Sequence, residues 1–169
     1  MQKDSILNII LVGVGLCIVC GAVISTVAVS LKDQQEQNVI FDQQSKIIDA
    51  ARLLEVYPSS QEALASIEEV VVNLNDGQPS AFPPEQYDLD SILRDSSQHT
   101  VLNGSDDIAM ISVRENLSKV YIEYRNNELK TLILPVRGYG LWGTLYGYLA
   151  LDSDLNTIVG LEFYKHKET

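Results

Sequence analysis

The sequence predicts an α+β protein with one N-terminal transmembrane helix, a helical stalk, and then a mainly antiparallel sheet. Three observations carry that expectation. Ser5 to Leu31 is a run of 27 residues without a charged side chain, flanked by Lys3-Asp4 and Lys32-Asp33, and about 20 predominantly apolar residues are enough to cross a bilayer. Residues 32–56 then continue without Gly or Pro, with apolar positions near helical spacing. Beyond Ile108 the period changes, and four segments alternate apolar with polar residues or are β-branched and aromatic, which is how strands read.

The boundaries this implies are a tail over 1–5, a transmembrane helix over 6–31, a stalk helix over 32–57 and a water-facing domain over 58–169. A cleaved signal peptide is the rival to a retained anchor. Its apolar core normally runs about 7–15 residues behind a positive leader, whereas this run is longer and only Lys3 and the α-amine precede it. Lysines on the two sides do not settle sidedness. Gly13-Val14-Gly15, Gly21-Ala22, Ser25, Thr26 and Ser30 would let another membrane helix approach closely. In the stalk, Val39, Ile40, Ile47, Ile48, Ala51, Leu54 and Val56 suggest one face packed on the domain.

Tyr57-Pro58 should end that helix, because the residue before proline resists the helical region. Ser59 and Glu62 form a capping box that opens a second helix, expected over about residues 60–69. Val70–Leu74 reads as a strand ended by Asp76-Gly77. Residues 76–108, with Pro79, Pro83, Pro84 and Gly104, read as a loop region with room for a short helix over 88–95. The four later strands are Lys119–Tyr124, Leu129–Val136, Leu145–Leu151 and Thr157–Tyr164. Arg125-Asn126-Asn127-Glu128 joins the first two as a hairpin, and Asp152-Ser153-Asp154-Leu155-Asn156 turns between the last two.

Charge narrows the function. After Leu31 there are 22 acidic and 11 basic residues, so the water-facing part carries the whole net charge of −11. Nucleic acid is therefore excluded as a partner, since phosphate binding needs clustered Lys and Arg, and anionic lipid headgroups are disfavoured. Segment 76–107 holds seven acids and one base, Arg94, which fits a solvated face or a docking surface for a basic partner. Both cysteines, Cys17 and Cys20, lie in the anchor, so the domain has no disulfide framework. The pair suits small apolar membrane residues or half of an intermembrane metal site, and two thiols alone cannot complete a tetrahedral one. Leu16 and Val19 precede them, where a lipoprotein site would carry a small residue. His99 and His166 have no spacing that brings a second metal ligand, so no metal site is expected. No nucleophile elbow, phosphate loop or dinucleotide fingerprint is present, and no catalytic residue is assigned.

The informative local stretch is Arg137-Gly138-Tyr139-Gly140-Leu141-Trp142-Gly143, with the only tryptophan of the chain among three glycines. It reads as a glycine-rich turn with a core tryptophan, or as a flat aromatic beside open backbone where a planar ligand could stack. Tyr146 and Tyr148 share one sheet face while Leu145, Leu149 and Leu151 share the other; the tyrosine face is a covered sheet face or a ligand- or partner-facing surface.

Four stretches, Ile108-Ala109-Met110-Ile111-Ser112-Val113-Arg114-Glu115-Asn116-Leu117, Gly138-Tyr139-Gly140-Leu141-Trp142, Tyr146-Gly147-Tyr148-Leu149-Ala150-Leu151 and Phe163-Tyr164-Lys165-His166-Lys167-Glu168-Thr169, closely resemble the C subunit of the sodium-translocating NADH:quinone oxidoreductase. The likeness runs the length of the chain. The G subunit of the Rnf complex shares the architecture, but the glycine–tryptophan turn is closer to the sodium-translocating family. The resemblance implies a component of a bacterial inner-membrane complex that oxidises NADH, reduces ubiquinone and translocates Na⁺, with a cytoplasmic tail, a single span and a periplasmic FMN-binding domain. Its partners would be the other membrane subunits and the lipid. Family members hold FMN as a one-electron relay, esterified to a threonine in a Ser-Gly-Ala-Thr motif. By resemblance the FMN pocket would include Gly140, Leu141, Trp142, Glu168 and Thr169.

The sequence departs from the family where the flavin is attached. Ser-Gly-Ala-Thr does not occur in the 169 residues, and Thr169 matches the threonine of a Glu-Thr-Pro stretch rather than the attachment residue. The expectation is an amino-terminal part of the family's fold: an incomplete FMN-binding domain with a strand edge left unpaired, inactive by itself. A second class stays open beside it, a single-pass anchored module that only assembles with or senses its neighbours.

Overall fold

The structure is a computed structural model that describes residues 6–167; the expected tail over 1–5 and the pocket residues Glu168 and Thr169 lie outside the described residues. Two compact units divide at Phe41/Asp42. The first is helical throughout its described part. Helix α1 runs without interruption from Ile6 to Ala50, and its N-terminal stretch is long and apolar enough to cross a membrane. Its apolar side chains there, Val12, Leu16 and Val23 among them, are exposed, as lipid contact requires and water would penalise. Thr26 and Ser30 return their hydroxyls to the carbonyls of Ala22 and Val27, so neither is a stray polar group.

The second unit is α+β, as expected. The last nine residues of α1, Asp42–Ala50, belong to it, and then the chain breaks. Arg52 takes a left-handed conformation, with φ 52°, and Leu53–Glu55 forms a short 3-10 turn. The helix thus ends at Ala50, short of the expected boundary at 57. The reason is tertiary: the break lets Leu53 drop into the core, where it is almost fully buried, leaving Leu54 and Val56 exposed. Of the anticipated stalk stripe, Ile47, Ile48 and Ala51 are buried, whereas Val39 and Ile40 are exposed.

Helix α2 (Ser60–Ala65) is capped as anticipated, Ser59 Oγ accepting from the Glu62 amide at 3.3 Å. It stops earlier than expected because Ile67–Asn73 is already strand β1. Helix α3 (Leu89–Arg94) opens on the carboxylate of Asp88, which accepts from the amides of Asp90 and Ser91. Around it, β2 (His99–Val101), inside the expected loop region, and β3 (Val113–Glu115) form a two-stranded ribbon that the sequence reading did not anticipate. Strands β4 (Leu117–Arg125), β5 (Glu128–Tyr139), β6 (Thr144–Asp152) and β7 (Ile158–Lys165) follow. The main sheet is antiparallel in the order β1-β4-β5-β6-β7. Asn126 and Asn127 both have positive φ, the geometry of the two-residue turn whose twist matches antiparallel strands. Among the described residues β7 is one edge of the sheet.

One face of the sheet is covered by the end of α1. Ile47, Ile48, Ala50 and Leu53 pack with Tyr121, Ile133, Tyr148 and Ala150. The helix end approaches β7 so closely that Gly160 faces the carbonyl oxygen of Ala50 with no room for a side chain. Beneath this layer lies a buried carboxylate, Glu123 of β4, whose side chain is 0% exposed. It accepts from Tyr57 Oη at 2.9 Å, Arg125 Nη2 at 2.7 Å and Thr131 Oγ1 at 3.0 Å. These donors tie the segment after α1 to β4 and β5.

Removing one partner of a buried pair is far costlier than removing the buried charge itself. Arg125→Met, which leaves the Glu123 charge unpaired, should cost about 3–5 kcal/mol of unfolding free energy. Glu123→Gln, which leaves the half-exposed Arg125 solvated, should cost about 1–3 kcal/mol. Denaturant titration of both variants in detergent checks the order; Glu123→Gln as the more damaging change would overturn this account.

Candidate functional site

Strands β5 and β6 are the longest pair in the domain, and their hairpin tip carries the glycine–tryptophan stretch. The Gly140 amide donates to the Gly143 carbonyl at 2.7 Å, closing a tight turn that pushes Leu141 and Trp142 outward, 80% and 67% exposed. Trp142 is therefore not a core residue, and the core alternative for it falls. Gly143 is buried, and the methylenes of Lys167 lie against its Cα, at 2.9 Å from where a Cβ would stand. The chain at Lys167 thus lies against this turn.

A second loop joins the tip. The Tyr139 amide donates to the Ala109 carbonyl at 2.8 Å, and Ala109 also sits over Gly138. Asp107 holds this loop, accepting from the amides of Ile111 at 2.8 Å and Ser112 at 2.7 Å. Met110 and Ser112 have positive φ, a conformation that turns Met110 outward. Ile108, Met110, Tyr139, Leu141 and Trp142 are all exposed, giving the tip an apolar surface of a kind that water disfavours. Sequence reasoning singled out the tip but not Ile108 and Met110; the loop docked on β5 through Ala109 brings them together, and no local signal marks it.

On the helix-covered face lies a cavity of about 230 Å³, lined by Tyr87, Tyr121, Tyr146, Tyr148, Tyr164 and Arg137 among others. Tyr148 stacks on Tyr164 at 4.8 Å between ring centroids, and Tyr121 meets Tyr148 edge-on at 5.7 Å. The tyrosine face anticipated on β6 is thus covered, with Tyr146 and Tyr148 both forming part of the cavity wall. Arg137 pairs with Glu115 at 2.7 Å and donates to the Val113 carbonyl at 2.6 Å, binding the β2–β3 ribbon to the sheet. Burial pushes the Tyr87 phenol up to about 12, with the Glu115 carboxylate adding to it. Burial likewise raises Tyr121, Tyr148 and Tyr164 well above the ordinary phenol range.

Comparison with known proteins now bears on this geometry. The chain is 41% identical over 173 residues to the C subunit of the Na(+)-translocating NADH-quinone reductase of Pseudomonas aeruginosa, a match covering 99% of the chain and 66% of that relative. The corresponding C subunit of Vibrio campbellii is 33% identical, with 99% of the chain and 67% of the relative covered. The crystal structure of Shewanella oneidensis NqrC superposes with a TM-score of 0.66 at 27% identity, covering 75% of this chain and 59% of that one. The chain belongs to the family of C subunits of Na(+)-translocating NADH-quinone reductases. No family model matches the chain. It spans just under two thirds of the length of the curated relatives it matches first.

In this member of the family, Gly140, Leu141 and Trp142 sit together at one exposed tip, and Lys167 abuts it. The tyrosine layer carries a pH dependence. The neutral phenol is the form that folding favours, because the folded pKa lies above the unfolded value. The stabilisation is therefore complete below about pH 10, the unfolded value, and is lost as pH rises through the folded values. Phenolate absorbance should show a group of the eight tyrosines that ionises only at or above about pH 12, together with loss of near-UV circular dichroism. Full titration of all eight near pH 10 with the fold intact would refute the buried layer.

Proposed function

We propose that this chain is an electron-relay component of a membrane NADH:quinone reductase that couples electron transfer to Na⁺ translocation, and that FMN seats against the hairpin tip. The support is family membership together with one observation: Leu141 and Trp142, 80% and 67% exposed, side by side on a two-residue turn closed by the Gly140–Gly143 hydrogen bond. Leaving such a leucine exposed forgoes about 1.5–3 kcal/mol of burial, which a flat ring laid on the tip would recover. The residues fit that group. Trp142 and Leu141 offer a stacking surface, the glycine-bounded backbone allows close approach, and Lys167 supplies a cation beside Gly143 for a phosphate. Bound there, FMN would supply one-electron transfer; the chain's own part is to hold the ring at an exposed edge, open to a partner.

Glu168 and Thr169 belong to the same proposal as the residues that follow Lys167 in the sequence. No Ser-Gly-Ala-Thr occurs in these 169 residues, so flavin held by them would be released on denaturation. The partners proposed are the other membrane subunits, with NADH, ubiquinone and Na⁺ handled by the complex and the domain on the periplasmic side of a bacterial inner membrane.

Two measurements test this reading. FMN titrated into the purified chain should lose fluorescence on binding, and Trp142→Ala should weaken that binding while changing unfolding free energy by no more than about 0.5 kcal/mol, as for an exposed site. Unaltered flavin quenching in the variant removes Trp142 from the site. For sidedness, a cysteine placed at the exposed Ser96 should react with a membrane-impermeant maleimide added to intact cells stripped of their outer membrane. Labelling only after lysis would reverse the orientation.

A further inference from the structure

Only one asparagine in the chain is followed by glycine: Asn103, in the loop between β2 and β3. Glycine has no Cβ to shield its own nitrogen, so the Asn103 carboxamide carbon can approach it. Both residues are exposed, and a Cβ built on Gly104 would meet nothing within 4 Å. The Asn103 carbonyl is engaged, accepting from the amides of Asp106 at 2.8 Å and Asp107 at 2.9 Å. Its carboxamide and the Gly104 N–H make no hydrogen bond among the described residues. Comparable pairs elsewhere are held. The Gly77 amide, after Asp76, donates to the Asn73 carbonyl at 2.8 Å. The side chains of Asn73, Asn75 and Asn116 accept from the Asn75 amide, Arg114 and Thr100. The amide after Asn156, that of Thr157, donates to Asp154 at 2.8 Å. Asn126 and Asn127 are followed by Asn127 and Glu128, whose Cβ atoms crowd the nitrogen.

We propose that Asn103 is a site of spontaneous covalent modification, converted to aspartate and isoaspartate through a cyclic imide formed with Gly104. The Gly104 nitrogen, after losing its proton to hydroxide, attacks Asn103 Cγ. A bond forms between them as the Cγ–Nδ2 bond breaks, and Nδ2 leaves as ammonia with a proton from water. The attack is intramolecular, so it needs no bound reagent. Water then adds to either imide carbonyl. Opening at the side-chain carbonyl gives aspartate in a normal backbone. Opening at the main-chain carbonyl gives isoaspartate, whose backbone runs through Cβ and Cγ and is longer by a carbon. Both products place a new negative charge in a loop that already holds Asp106 and Asp107. In isoaspartate, moreover, the carbonyl that receives the Asp106 and Asp107 amides becomes a free carboxylate. Asp107 in turn accepts from the amides of Ile111 and Ser112, and the same loop docks on β5 through the Tyr139 amide and the Ala109 carbonyl. The modified loop therefore holds the hairpin tip less firmly. None of this chemistry depends on flavin binding.

The test ages the full chain in nanodiscs at mildly alkaline pH, beside a synthetic peptide of residues 100–108 that sets the scale. Digestion in heavy-oxygen water marks any conversion that happens during digestion. Peptide mass spectrometry reads the exchange of NH2 for OH, and methyl transfer by an isoaspartyl methyltransferase reads the isoaspartate. Conversion is expected at Asn103 ahead of every other asparagine and ahead of isomerisation at Asp76, and it should quicken as pH rises, because the attacking nitrogen must be deprotonated. Gly104→Ala, which the open space accommodates, should lose most of the signal without moving the unfolding midpoint. Amide exchange at Tyr139 should be faster in the isoaspartyl fraction than in the unmodified one. An intact Asn103 after the peptide has fully converted overturns the proposal, as does earlier conversion at another asparagine or at Asp76, or equal conversion in Gly104→Ala. Equal Tyr139 exchange in the two fractions would overturn the link to the hairpin tip.

Discussion

The rest of the domain hangs on the buried carboxylate of Glu123. A fully buried charge is tolerated only when its lone pairs are met by donors, and here the donors come from three places: Tyr57 after the helix break, Arg125 two residues along the same strand, and Thr131 on the neighbouring strand. Satisfying it forces the segment after α1 back onto the sheet. That return sets where the helix must stop, and hence why Arg52 adopts a left-handed conformation in a sequence with no glycine or asparagine at that point. Leu53 is then carried into the core, and Gly160 becomes a place where only glycine fits beside the Ala50 carbonyl.

With the helix end laid across one face of the sheet, that face divides into two zones. Near the break it is a dry core of Ile47, Ile48, Ile133 and Ala150. Further along, where β5 and β6 extend toward their hairpin, the layer thins to tyrosines and the Glu115–Arg137 pair, and a cavity remains. The same pair anchors the β2–β3 ribbon, and the loop between those strands is the one that reaches the hairpin tip through Ala109. A single ion pair, nearly withdrawn from water, thus links the cavity to the exposed surface at Leu141 and Trp142.

That surface is where family membership and geometry meet. A chain proposed to relay electrons needs its redox group within tunnelling distance of a partner, and a group seated at an exposed tip allows such an approach. The tip supplies exposure. Its turn is closed by the Gly140–Gly143 bond, flanked by twelve residues of β5 and nine of β6, and braced by Asp107 from the side. Exposed apolar side chains gathered in one patch are the kind of surface a ligand or a neighbouring protein covers.

Much of this was legible in the residues alone. A 27-residue uncharged run can only be a span or a leader. Period-two alternation after Ile108 located all four later strands to within a few residues. Ser59 with Glu62, and Asn126-Asn127, marked a cap and a turn because those effects act over three or four residues and need no tertiary help. The hairpin tip was visible as an unusual density of glycine around the only tryptophan. What tertiary structure decided is what depends on distant partners. Whether Trp142 was core or surface turned on the length of β5 and β6, not on its neighbours in sequence. The helix end at Ala50, the pairing of Glu115 with Arg137 and the gathering of Tyr87, Tyr121 and Tyr164 around Tyr148 each join residues tens of positions apart. No local pattern encodes such contacts, because burial and charge pairing are properties of the assembled core, where free energy is set by which groups meet and not by how they are spaced along the chain.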